Sequence, residues 1–206
     1  MVWYGRGCIL IANRIRMKKR DDTWDGVFAD PEVGRVLKLR GLIADANQSS
    51  IEELATITTL NPSGVDATTG YFYNNTVITK FPELRYCTGL SDMIGGFYGC
   101  SSLTDAPTIP DSVIEVRSLF SGCSNIVNAP TISERVTDMS WTFRYCTKLD
   151  GIFIIRPSTP PTYLNTFQNV NVRTIYVPDG SVSTYKSASG WSAHSSIIYP
   201  ISELPE

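Results

Sequence analysis

Three stretches, FYGCSSL (Phe97–Leu103), FSGCSNI (Phe120–Ile126) and FRYCTKL (Phe143–Leu149), begin 23 residues apart and decide how this chain is read. Taken singly, a cysteine set among serines and glycines resembles a small reactive site. Taken together, the cysteines keep a register. A degenerate copy, FQNVNV, starts at Phe167, one residue late, and a partial unit, LRYCTGL, starts at Leu84. The apolar residue that closes each unit holds the same step, at Leu103, Ile126, Leu149 and Val172. Four residues ahead of each Phe stand Met93, Val116 and Met139.

Behind the units come segments able to form a short strand, LTDAPTI, IVNAPTI, LDGIFII and VRTIYVP, and the turn-rich residues 61–76 lead into a first such strand, VITKF. One strand per unit at a period of roughly 20–29 residues is the signature of a leucine-rich-repeat solenoid. One unit cannot bury its apolar side alone, whereas stacked units bury a continuous column. So short a stack exposes apolar side chains and unpaired strand edges at both ends and needs caps. Downstream, a turn at Pro178-Asp179-Gly180 leads to a capping helix with Val182, Tyr185 and Ala188 on one face and Trp191 following. Upstream, Asp30-Pro31 starts a helix with Val33, Val36 and Leu37 as its apolar stripe. Ser50 opens a second, IEELATITTL, with Glu53 placed for a capping box. The expected fold is therefore a leucine-rich-repeat solenoid, β-rich with short helices. Its expected divisions are a basic arm (1–27), a helical N-terminal cap (28–76), the repeats (77–178) and a C-terminal cap (179–206).

The FxGCSSLT unit at this spacing, and the ending IYVPDGSVSTYKSASGWSAHSSIIYPI, resemble BspA-type leucine-rich-repeat proteins. These are common in gut Bacteroidetes and occur in their phages. The segment ADPEVGRVLKLRGLIADANQSSIEELATITTL resembles the helical region that often precedes such repeats. The resemblance covers about residues 28–201. It implies a surface-displayed adhesion or recognition protein, or a phage structural component, and implies no enzymatic activity.

The net charge of −2 hides an asymmetry. Arg6, Arg14, Arg16, Lys18, Lys19 and Arg20 occupy residues 1–20 with no acid among them, so the remaining chain sets 12 basic residues against 20 acidic ones. The arm reads as a solvated start or as a docking element for an acidic surface or nucleic acid. Its interleaved apolar residues, VWYGRGCILIANRIRM, favour docking onto a protein partner in a larger assembly, and nucleic acid is not expected. The apolar core CILIA is too short for a secretory signal, and the charges follow it instead of preceding it. The location expected is a virion or a cell surface, with a leader removed or release by lysis. No apolar run approaches the roughly 20 residues of a membrane span.

Chemistry-bearing motifs are sparse. Zinc sites use close cysteine pairs, not single cysteines 23 residues apart. Equivalent positions point their Cβ atoms in parallel, which suits buried thiols better than disulfides. His194 is the sole histidine, and HExxH, GxSxG and P-loop patterns are missing. Asp45, Asn47 and Ser49 match the first ligands of a calcium loop, but Ser50 replaces the required Gly and Thr56 the bidentate Glu. No catalytic residue, cofactor or metal is expected. A recognition surface is more promising. Two residues before the repeat Phe stand Gly95, Ser118 and Trp141, and after it Tyr98, Ser121, Arg144 and Gln168. Such variable positions are expected to face outward, making Trp141, Arg117, Arg144 and Tyr98 the candidate patch for a host-surface protein or glycan.

Overall fold

The computed structural model describes residues 24–205. The arm residues Arg6, Arg14, Arg16, Lys18, Lys19 and Arg20 lie outside them. Helix α1 (Pro31–Leu39) starts where Asp30 accepts the Glu32 N–H at 3.0 Å, and it buries Val33, Val36 and Leu37. The second Asp30 carboxylate oxygen takes the Thr79 N–H and hydroxyl at 2.7 and 2.8 Å, which fastens the helix start to the first repeat segment. Helix α2 (Ile51–Ala55) is capped by Ser50, whose Oγ accepts the Glu53 N–H at 3.0 Å. Glu53 does not complete the box. Its carboxylate accepts instead from the Ala44 N–H and the Ser49 hydroxyl, at 2.7 and 2.6 Å. The helix ends at Ala55, where the β-branched run Thr56-Ile57-Thr58-Thr59 begins.

Among the described residues, regular sheet is confined to three parallel strands in the order β1 (Asp150–Ile154), β2 (Asn171–Val177) and β3 (Ile198–Pro200). This corrects the expected fold. The small sheet is open, the helices are few and short, and no strand-per-unit sheet runs through the repeats, so the structure is not a leucine-rich-repeat solenoid. The segments VITKF, LTDAPTI and IVNAPTI form no strands. The physical reason stands in the sequence for two of them. Pro107 and Pro130 interrupt LTDAPTI and IVNAPTI, and a proline has no N–H to give to a ladder. DGIFI and NVRTIYV, which contain no proline, become β1 and β2, whereas VITKF lacks proline and still forms no strand.

What joins the repeats is a ladder between turns. The N–H groups of Met93, Gly95, Phe97 and Gly99 donate to the carbonyls of Glu115, Arg117, Leu119 and Ser121, at 2.8–3.0 Å. Val116, Ser118, Phe120 and Gly122 donate likewise to Asp138, Ser140, Thr142 and Arg144 at 2.7–3.3 Å. Met139, Trp141, Phe143 and Tyr145 donate to Thr162, Leu164, Thr166 and Gln168 at 2.8–3.1 Å. This register lines up equivalent side chains. Phe72, Phe97, Phe120, Phe143 and Phe167 form one buried column with neighbouring ring centroids 5.1–5.9 Å apart. A buried aromatic contributes about 1.5–3 kcal/mol by burial, and each ring pair adds about 0.5–1.5 kcal/mol. The column ends against a cap in which Trp191 and Tyr185 are fully buried. Helix α3 (Val182–Ser187) carries Tyr185, whose hydroxyl donates to the Pro157 carbonyl, while the Trp191 indole donates to Pro161, each at 2.8 Å. No helix among the described residues is long and apolar enough to cross a membrane.

Candidate recognition face

The turn-to-turn register explains the cysteines first. Cys100, Cys123 and Cys146 are buried and free, and their thiols donate to the carbonyls of Phe72, Phe97 and Phe120, each at 3.0 Å. Each thiol thus satisfies a backbone acceptor between stacked turns. Burial pushes the Cys146 and Cys87 thiols up to about 12. It also raises Cys123 well above the ordinary thiol value, with the adjacent Cys100 adding to the shift. Such groups hold almost no thiolate near neutrality. His194 sits in the C-terminal cap, with Nε2 2.9 Å from the Tyr163 hydroxyl and its ring against Phe167, and burial lowers its pKa.

The positions ahead of the repeat Phe have a backbone cause. Gly95, Ser118 and Trp141 all have left-handed φ, at 60°, 57° and 57°. Four residues later Gly99, Gly122 and Tyr145 do too, at 73°, 78° and 62°. The late copy places Asn165 and Asn169 in the same two slots. Sequence variability there reflects conformation, not outward direction. Ser118 is buried and Trp141 is half-buried. The residues following the Phe are equally mixed: Ser121 is buried, Tyr98 and Arg144 are half-buried, and Gln168 is exposed.

Three of the four candidate residues each have their own neighbours. Tyr98 packs on Tyr73, with centroids 5.3 Å apart. Arg117 reaches the Val65 carbonyl and lies near a column of carboxylates at Asp92, Glu115 and Asp138. Arg144 lies over the Tyr145 ring, 4.5 Å from its centroid, and donates to the Tyr145 hydroxyl at 2.9 Å and to Gln168 Oε1 at 2.8 Å. Trp141 precedes this cluster in the same turn. Sequence reasoning missed Tyr145, although its slot was visible from the glycines at 99 and 122.

The acidic column was also legible, since its residues stand five before each repeat Phe. Asp92 and Asp138 use an oxygen locally, accepting the N–H two residues on, from Ile94 at 2.8 Å and Ser140 at 2.7 Å. Burial pushes Asp92 above the usual carboxylate range, against the pull of the Ile94 N–H, Thr59 and Arg117. Glu115 is raised by burial and then by the Asp138 charge. At the calcium-like loop, Asp45 accepts the Asn47 N–H at 2.8 Å. Among the described residues, no cluster of three or more His, Cys, Asp or Glu is placed to hold a metal ion. No protein-family model and no curated protein matches this sequence.

Proposed function

We propose that this chain is a non-catalytic recognition and structural module, held on a virion or cell surface through its basic arm, that presents Trp141, Arg144 and Tyr145 to a host-surface protein or glycan. One observation carries the reading. The turn at 139–146 places two aromatics at left-handed positions where the turn at 93–100 has glycines. A side chain in that conformation costs roughly 1–2 kcal/mol per residue. Tyr145 keeps 39% of its surface exposed, with the Arg144 guanidinium over its ring. Strain kept where aromatic rings stay partly exposed points to a surface shaped for contact. An aromatic ring paired with a guanidinium offers a flat face with a polar rim, suited to sugar rings and to protein surfaces. The resemblance of the C-terminal ending to surface adhesion proteins supports the same reading.

The test is binding of the full chain to a glycan array and to intact bacterial cells, with and without Trp141→Gly and Tyr145→Gly. Both substitutions relieve backbone strain, so the double variant should melt at or near the parent temperature while binding falls at least tenfold. Unchanged binding by a folded double variant would refute this face.

A further inference from the structure

Strand β1 is an edge whose outer side is only partly paired. At its C-terminal end, the Ile132 N–H donates to the Ile154 carbonyl at 2.9 Å, and the Arg156 N–H donates to the Ile132 carbonyl at 3.1 Å. The next rung needs an N–H from residue 130 to reach the Ile152 carbonyl, and residue 130 is proline. There the two segments part. A groove of about 520 Å³ opens between Asn128-Ala129 and the Asp150–Phe153 edge, with Arg173 at its rim. Gly151 adds to the opening, since a Cβ built there would meet nothing within 4 Å.

Strand alternation turns Phe153 and Ile155 inward, where both are buried, and leaves the N–H and C=O of Ile152 on the outer edge. The Ile152 side chain is 48% exposed, on the same sheet face as Tyr199. An apolar strand edge with free backbone groups is a template for an added strand. The volume falls within the roughly 300–1,000 Å³ of formed ligand sites.

We infer that this edge receives residues Cys8–Asn13 (CILIAN) of a second copy of the chain as an added strand. The inference rests on the docking role of the basic arm and names its receptor. CILIAN is apolar, contains β-branched residues, lacks proline, and is flanked by Arg6 and Arg14. Those cations suit a chain whose remainder carries 20 acids against 12 bases; Asp150 at the groove is itself paired with Arg173. Geometry favours a neighbouring copy. The described chain begins at Trp24, stacked 5.6 Å from Tyr86 ahead of the repeat turns, whereas β1 follows the last of them. Copies arranged head to tail bring one chain's arm to the next chain's β1.

The native Cys8 supplies the test, because the four described cysteines are buried. The full chain carrying Ile152→Cys should, on mild diamide oxidation, give disulfide-linked dimers and higher species on non-reducing gels, and adding Cys8→Ser should abolish them. Monomer alone, an intramolecular link, or dimers that persist without Cys8 would each overturn the assignment. A second variant, Ile152→Asp in the otherwise native chain, should weaken self-association at least tenfold by analytical ultracentrifugation, and no change would count against the site. Trp141→Gly should leave self-association unaltered, which separates a failure of this site from a failure of the recognition face.

Discussion

The turns at 93–100 and 139–146 share one backbone plan and differ in what fills it. Both use two left-handed positions, both bury a Phe and a Cys, and both donate alternate N–H groups to the following turn. In the first turn the two positions are Gly95 and Gly99, pressed against the 67–74 segment. In the second they are Trp141 and Tyr145, and Tyr145 faces solvent. The comparison separates two demands on one conformation. Where the N-terminal cap packs on the turn, only glycine fits. Where that cap does not press on it, the left-handed position can carry a large side chain at a strain cost and leave it partly exposed.

The substitution with the largest expected effect strikes what the two turns hold in common. Phe120 sits between Phe97 and Phe143, 5.8 Å from each, and is fully buried. Phe120→Ala should cost about 4 kcal/mol through lost burial and the cavity left behind, read from the urea midpoint. A loss below about 1 kcal/mol, as expected of an exposed surface position, would mean the aromatic column does not couple the turns.

The next substitution sharpens the difference between them. A Cβ on Gly95 would overlap the Ala67 carbonyl, a backbone atom that cannot swing aside. Gly95→Ala should therefore cost about 3 kcal/mol, from overpacking together with the left-handed penalty. Gly122 has the same sign of φ, but its nearest obstacle is Gly99 Cα at 3.5 Å, an ordinary contact. Gly122→Ala should cost only about 1 kcal/mol. Equal losses would show that conformation alone, and not the packed cap, demands glycine at 95.

The same pair of turns shows what the sequence disclosed and where it misled. The 23-residue step located the buried Phe and Cys positions, because periodic burial leaves a periodic apolar pattern, while helix-start residues and apolar faces located the capping helices. The strands were over-read. Composition suits LTDAPTI and IVNAPTI to a strand, but a proline inside a short segment removes a donor that pairing requires, and of the repeat segments only DGIFI and NVRTIYV form strands. The recognition patch was inferred from variability at 95, 118 and 141, a signal produced by positive φ. A shared backbone conformation is nearly invisible in sequence unless glycine or asparagine marks it, and tryptophan does not.

The smallest effect tests the acidic column that runs beside both turns. Asp92, Glu115 and Asp138 stand in register, with Arg117 the nearby cation and Thr59 and Thr137 the hydroxyl neighbours. Burial, then the Asp138 charge, hold Glu115 above the ordinary glutamate value of 4.5, so the folded chain binds this proton more tightly than the unfolded one. The stability this provides is complete below the unfolded pKa and is lost as pH rises through the folded value. Glu115→Gln should therefore raise the melting temperature at pH 7 and change it little at pH 4, flattening the profile on the acid side. The shift should be smaller than that of either preceding substitution, because the group is partly solvated and neighbouring charges are screened. Asp138→Asn makes the contrast, since it removes the charge that pushes Glu115 up but weakens the oxygen that accepts the Ser140 N–H. A profile left unchanged by Glu115→Gln would show that the carboxylate column carries no electrostatic tension, and that the two turns differ only in their left-handed positions.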